Sequence, residues 1–283
     1  MAALAENRYG KSRVRLVRVN RKSTMHDFQE WTVEVLLQGD FLTCFTEGDN
    51  SKILPTDTMK NTVYFLARKS AAACIEDFAK ELVGFLLSNN PQVSAAEVTI
   101  REKYWQHLVT HGQEQPSTFT QAGSELQTAR VSQYQGGNFE VSSGVSDLLI
   151  MKTSNSGFEG YIKDQLTTLP ETNDRLFGTN LRATWVYSSP DVSYSVARKA
   201  IREALLSTFA AHDSKSVQHT LYAMAAAALE RYPEISDITI SMPNKHCLLV
   251  DLSRFGLENN NEVFVPVDEP YGLIEAHIKR TAY

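Results

Sequence analysis

The chain has 283 residues, of which 42% are apolar and 22% charged, a composition usual for one large or two ordinary globular domains. Its 28 basic and 33 acidic residues give a net charge of -5 without a long basic stripe, so nucleic acid is not an expected partner. The apolar stretches are too short to span a membrane, no signal peptide is visible, and three scattered cysteines predict neither a disulfide framework nor a cysteine-rich zinc site.

The first half of the chain predicts strands followed by two helices and a further strand. Basic and apolar residues alternate from Lys11 to about Ser23, which favours a half-buried strand over a phosphate-binding segment. Residues 27–37 alternate in the same way and predict a second strand. Helical spacing then runs from Thr56 to about Lys69 and again from Ile75, and the second helix is expected to end before Pro91.

The second half repeats this pattern. The segments that run from Ile75 to Pro91 and from Val217 to Pro233 have the same length and the same terminating proline, and each precedes an alternating strand. A strand over residues 182–187 and a helix over about 194–211 come before the second of these segments. Each half is therefore predicted to be a ββααββ unit, an antiparallel sheet with two helices on one face, which makes the fold class α+β.

The boundary between the halves is predicted in a glycine-containing segment, Gln135 to Ser143. We therefore predict one domain over residues 1–138 and another over 139–283. Each such sheet would have an uncovered face and open edges, and closing several sheets into a barrel through oligomerisation would protect both.

Cofactor motifs are absent from the sequence. No dinucleotide-binding G-x-G-x-x-G, no P-loop and no H-E-x-x-H sequence occurs. His107 and His111 have metal-ligand spacing, but their segment begins as a strand and supplies no third carboxylate ligand, so a solvent-facing pair is favoured over a metal site. A reaction without metal or organic cofactor is compatible with this sequence.

Several polar residues stand at positions that suit chemistry, although each has a simpler explanation. Thr56 precedes a helix and is predicted to be its N-cap, and the same helix end also presents N–H donors to an anion. Asn244 and His246, in the segment SMPNKH, point to the same side of a strand because strand side chains alternate. Taken alone, Lys11 is a surface cation and His246 is a hydrogen-bonded group at a strand end.

Six segments together identify a family. YGK, LPTDTMKNTVY, NSGFEGY, NDRLF, SVQHTLY and SMPNKH, spread over the whole length, resemble urate oxidase, the cofactor-free uricase family. The resemblance implies two tandem tunnelling-fold (T-fold) domains per chain and a homotetramer that encloses a tunnel, with the active sites between subunits. The chain ends in Thr281-Ala282-Tyr283 rather than in a peroxisomal tripeptide of the Ser-Lys-Leu kind, so a bacterial-type enzyme in the cytoplasm is expected.

The resemblance also implies a reaction and a set of site residues. The reaction is the oxidation of urate by dioxygen to 5-hydroxyisourate and hydrogen peroxide in purine catabolism, with no metal or organic cofactor. By resemblance, a proton relay consists of Lys11, Thr56 and His246, dioxygen is held by Thr56 and Asn244, and urate is held by Phe158, Arg175 and Gln218 with the backbone of Val217 and Asp57. Two alternatives remain at this point: a zinc-dependent or carboxylate-anchored T-fold enzyme acting on a pterin or GTP, and a purine-binding module without catalysis.

Overall fold

The computed structural model describes residues 3–281, so Ala282 and Tyr283, which entered the prediction of location, lie outside it. The described chain divides into two compact units. The first contains the residues up to Gly144 together with Val186–Val196, and the second contains Val145–Trp185 and the chain from Ala197 onward.

The first unit follows the predicted order of elements, with one short helix added. Its elements are β1 (Tyr9–Asn20), β2 (Asp27–Gly39), α1 (Leu42–Thr46), α2 (Thr56–Lys69), α3 (Ile75–Asn89), β3 (Val93–Thr110) and β4 (Gln113–Tyr134). Neighbouring strands pair antiparallel along the chain, β1 with β2, β2 with β3 and β3 with β4. The predicted α+β class is confirmed.

The core of the first unit lies between the sheet and its helices. Trp31, Val33, Val35 and Leu37 alternate along β2 and are fully buried, as the period-2 pattern predicted. Each such side chain contributes about 1.5–3 kcal/mol by leaving water. Helix α2 packs beside β1 and helix α3 packs on β3 and β4. This packing fixes the N-terminus of α2 beside the first strand.

The second unit repeats the architecture. The elements with their greater part in this unit are β5 (Glu140–Lys152), β6 (Phe177–Tyr187), α4 (Tyr194–Ala211), α5 (Val217–Arg231), β7 (Ile235–Leu249), β8 (Phe264–Val267) and β9 (Leu273–Lys279). A 3-10 turn, Ser253–Phe255, follows β7. Strand β7 pairs antiparallel with β9 along its first half and with β8 along its second half.

The predicted helix ends are confirmed in both units. Helix α3 ends at Asn89 and α5 ends at Arg231, each two residues before its proline, and both contain 15 residues. The proline ring disfavours helical geometry in the preceding residue, and helices usually end at or before that residue.

Candidate active site

Lys11 lies on β1 and faces the helix layer of the first unit. It stands opposite Val35, a fully buried residue of β2, and directly opposed residues of an antiparallel pair point to the same face. The ladder shifts register between Lys11 and Val14, where Arg13 has a φ of 57°. Such a bulge bends the strand and redirects the side chains beside it.

Gly10, beside Lys11, permits a close approach of the two strands. A Cβ at Gly10 would lie 1.8 Å from the carbonyl oxygen of Val35, which no side chain tolerates. The YGK segment therefore needs its glycine for packing, and this packing holds Lys11 against β2.

Thr56 is the first residue of α2, and the prediction that it is the N-cap is wrong. Pro55 occupies the N-cap position with extended backbone angles, φ -57° and ψ 138°, and no side-chain cap hydrogen bond forms at this end among the described residues. The first N–H group bonded within this helix is that of Met59, which donates to Pro55. The hydroxyl of Thr56 is therefore not used as a cap, and the first-turn N–H groups of Thr56 and Asp57 remain available for an anion.

Asp57 uses its carboxylate within its own helix. The carboxylate pairs with Lys60 and accepts a hydrogen bond from Asn61 at 3.2 Å. Its pKa lies below the ordinary value, mainly because Lys60 donates to it, and the positive charge of Lys11 acts in the same direction. Lys11 and the start of α2 are therefore close enough to interact electrostatically, and Asp57 can contribute to a site through its backbone N–H.

Phe158 and Arg175 form a contact pair in the second unit. The guanidinium carbon of Arg175 lies 5.3 Å from the centre of the Phe158 ring. The Nε atom of Arg175 is buried and has no hydrogen-bond partner within residues 3–281. Burial also lowers the pKa of this side chain, since a charge is less well solvated there. Arg175 is partly buried without an ion pair among residues 3–281, and Phe158 is half-buried.

Backbone pairing connects Phe158 to the other predicted binding residues of this unit. The N–H of Phe158 donates to Thr172 at 2.7 Å, which brings the chain that leads to Arg175 alongside. One residue earlier, the N–H of Gly157 donates to Ser214 at 2.8 Å, three residues before Val217. The Phe158 segment therefore lies between the approaches to Arg175 and to α5.

Helix α5 begins with Val217 and Gln218. Ser216 is its N-cap and accepts a hydrogen bond from the N–H of His219 at 3.1 Å. Val217 is buried, whereas Gln218 is exposed. The exposed side-chain amide of Gln218 can therefore both donate and accept a hydrogen bond. The backbone N–H groups of the first turn add donors at this helix end.

Asn244 and His246 lie where β7 changes its partner. The ladder with β9 reaches Pro243 and the ladder with β8 begins at His246. The N–H of Asn244 donates to Gly272 at 2.8 Å. Both residues belong to one continuous strand and are half-buried. That their side chains share a side stays a prediction from the alternation of strand side chains.

The start of β6 runs tightly beside this part of β7. A Cβ at Gly178 would lie 3.3 Å from the Cβ of Lys245 and 2.6 Å from Met151. Gly178, three residues after Arg175, therefore lies beside Lys245, which separates Asn244 from His246. All six predicted residues from Phe158 onward belong to the second unit, and Lys11, Thr56 and Asp57 belong to the first.

One aromatic residue without a predicted role supports Phe158. Tyr161 stacks on Phe158 with ring centres 4.8 Å apart and an interplanar angle of 14°, and its hydroxyl donates to the carbonyl of Leu169. The three-residue spacing in NSGFEGY was a visible signal, but only the folded loop shows that the two rings are parallel.

The two histidines considered as metal ligands are not a solvent-facing pair. His107 belongs to β3, bonds the carbonyl of Gln115 at 2.8 Å and packs on Phe119, whereas His111 lies in the hairpin turn with a φ of 51°. Within residues 3–281 no group of three or more histidine, cysteine, aspartate or glutamate side chains is arranged to hold a metal ion. No helix in that range is long and apolar enough to cross a membrane.

Fold and site together define an α+β protein of two tandem T-fold domains. The uricase family profile matches residues 7–132 and 141–275, one segment in each half. The chain belongs to the uricase family.

Individual relatives agree with this assignment. The chain is 41% identical to a uricase of Dictyostelium discoideum over 99% of both sequences, and 39% identical to a uricase of Arthrobacter globiformis over 98% of this chain and 90% of the relative. The crystal structure of the Arthrobacter globiformis uricase superposes with a TM-score of 0.94 at 37% identity, covering 100% of this chain and 96% of the other.

Proposed function

We propose that this uricase-family chain oxidises urate with dioxygen and water to 5-hydroxyisourate and hydrogen peroxide, without a metal or organic cofactor, in purine catabolism. Urate supplies both electrons and dioxygen accepts them, so the protein's tasks are to bind the purine flat, remove its protons and stabilise charge as it moves to oxygen. The observation that carries the proposal is the partly buried guanidinium of Arg175 over Phe158, whose Nε has no hydrogen-bond partner in the part of the chain that the structure describes. A planar anion would satisfy both the charge and the donor.

Substrate binding uses three kinds of contact. Phe158 offers an aromatic face for stacking, and Arg175 offers a rigid fork of N–H donors to carbonyl and nitrogen acceptors. Gln218 both donates and accepts at the opposite edge of the purine. The backbone N–H groups of Val217 and Asp57, each in the first turn of a helix, add donors with a favourable dipole.

Proton movement uses a second group of residues. Lys11, Thr56 and His246 form the relay, in which an amine, a hydroxyl and an imidazole each can pass a proton without moving far. Asn244 and Thr56 hold dioxygen and then the water that becomes the new hydroxyl. Thr56 lies at a helix start, and Asn244 lies where β7 changes its strand partner.

Assembly into a homotetramer with sites between subunits is part of the proposal. The relay residues Lys11 and Thr56 belong to one unit, and Arg175 with Asn244 and His246 to the other, so contributions from two chains can complete each site. Exposed apolar side chains on strands of the second unit support an association surface: Leu149, Met151, Leu248 and Val265. A cytoplasmic location is proposed with it, and a fluorescent fusion in the source cell tests that location.

The first experiment measures oxygen uptake and the loss of urate absorbance by chelator-treated protein. We expect full activity, with hydrogen peroxide formed as urate disappears. Inactive protein that a transition metal restores would contradict the cofactor-free reaction. Size-exclusion chromatography with light scattering tests the tetramer independently of turnover.

A further inference from the structure

A tyrosine with no assigned role connects the two elements that carry Lys11 and Thr56. The hydroxyl of Tyr9 donates to the carbonyl of Leu54 at 3.1 Å and accepts from the N–H of Leu54 at 2.8 Å. Both hydrogen-bonding capacities of the phenol are thereby used on one residue that lies 45 positions away in sequence. This contact joins β1 directly to the loop that enters α2.

The spacing of this contact matches the spacing of the relay. Tyr9 precedes Lys11 by two residues on β1, before the register shift, so both side chains lie on the helix-facing side. Leu54 precedes Thr56 by two residues, with only Pro55 between them. Proline fixes its own φ angle and restricts the backbone of the preceding residue. A hydrogen bond that holds Leu54 in place therefore also restricts the position of Thr56.

The ring of Tyr9 is itself held in place. It meets the fully buried Phe41 edge to face, with ring centres 4.8 Å apart and an interplanar angle of 85°. Burial also raises the pKa of the phenol, so it stays protonated and able to donate. The ring that carries the hydroxyl bonded to Leu54 is therefore held in one position.

We propose that Tyr9 is a positioning residue for the proton relay: its paired hydrogen bonds with Leu54 set the distance between Lys11 and Thr56. The proposal rests on the proposed roles of those two residues. Proton transfer requires donor and acceptor within about 2.6–3.2 Å, and displacement by about 1 Å can cost 100-fold in rate. Loosening the connection should therefore lower turnover more than it weakens purine binding.

The test is Tyr9→Phe, which removes both hydrogen bonds and keeps the ring. The matched control is Tyr64→Phe, since Tyr64 of α2 also bonds β1, through one long contact of 3.4 Å to Arg15, at an exposed position. We expect kcat to fall about 10- to 100-fold in Tyr9→Phe, with the Kd for a non-oxidisable purine changed less than about threefold. Tyr64→Phe should leave both values unchanged.

A double variant separates positioning from a general loss of structure. If Tyr9 acts through the relay, Tyr9→Phe added to Thr56→Ala should lower the residual kcat less than twofold further. Independent, multiplicative losses would overturn the proposal, and so would wild-type kcat in folded Tyr9→Phe. If Thr56→Ala and Lys11→Met retain full kcat, the proposed relay is wrong. If those two variants lose kcat but Tyr9→Phe retains it, the relay stands and only the positioning role of Tyr9 is wrong.

A second variant covers the case in which Tyr9→Phe does not fold. Phe41→Leu keeps the hydroxyl of Tyr9 and removes the edge contact that steadies its ring. It should lower kcat about threefold or more at unchanged Kd. A lower Tm with unchanged kcat would show that this contact serves stability alone.

Discussion

Replacing Arg175 with lysine tests the proposed substrate site most directly, because the charge is kept while the planar fork of donors is lost. The partly buried guanidinium lies over Phe158 and its Nε is unpartnered within the described residues, so a bound purine anion should gain more than one charge-assisted hydrogen bond from it. A lysine ammonium in the same place is a point charge without this planar fork, so it cannot donate two parallel hydrogen bonds to one edge of the ligand.

The expected magnitude follows from the loss of one such bond. A hydrogen bond to a charged group contributes about 1.5–3 kcal/mol, which corresponds to about a 10- to 150-fold increase in Kd. Lysine also places a cation near the Phe158 ring, so the contact, worth about 0.5–2 kcal/mol, is largely kept in the variant and is not added to this estimate.

Calorimetric titration with a non-oxidisable purine analogue measures the effect without turnover. Arg182→Lys is the matched control, because Arg182 is exposed and lies on β6, the strand that begins two residues after Arg175. We expect its Kd to equal that of the wild type. An Arg175→Lys protein that is folded and binds the analogue within twofold of the wild type would refute the proposed fork.

Three further predictions concern the relay, the assembly and acid stability. Lys11→Met and Thr56→Ala should each lower kcat far more than they weaken urate binding. The double variant should have a kcat little lower than that of either single variant, since members of one relay fail together. Multiplicative losses of kcat in steady-state assays would contradict a shared relay. Thr56→Ala and Arg175→Ala, each inactive alone, should recover about one quarter of wild-type activity when they are refolded together. Random pairing makes half of the dimers mixed, and each mixed dimer has one intact site of two. Mixed oligomers that are verified by mass but lack activity would place the whole site in one chain. Burial lowers the pKa of His212, so the folded state favours the neutral imidazole and stability should fall as the pH drops below the unfolded pKa of about 6.5. The Tm measured from pH 7.5 to 5 should therefore fall less in His212→Asn than in the wild type. An identical decline in both proteins would show that His212 does not cause the loss of stability in acid.

Local pattern was sufficient to predict most of the helices and strands. The alternation in β2 predicted which of its side chains are buried, and the prolines at 91 and 233 predicted where α3 and α5 end. These features depend on side-chain periodicity and on proline sterics, which act over a few residues. The same locality explains why Asn244 and His246 were correctly placed on a strand.

The start of α2 shows how a local pattern can mislead. Threonine before a helical stripe is a good N-cap, but the chain enters this helix through Pro55, which takes the N-cap position itself. The loop before it is hydrogen-bonded at Leu54 to Tyr9, which lies 45 residues earlier, and a local pattern contains no information about so distant a partner.

By itself the sequence determined the α+β class, the internal repeat and, through six short segments, the family. Only the tertiary structure decided that Arg175 lies over Phe158 with a donor that no described residue satisfies, that Gly157 pairs with Ser214 ahead of α5, and that the Lys11 strand is joined to the Thr56 loop. The physical reason is range: secondary structure follows from interactions between near neighbours in the chain, whereas a site is made by packing and backbone pairing between residues that the sequence places far apart.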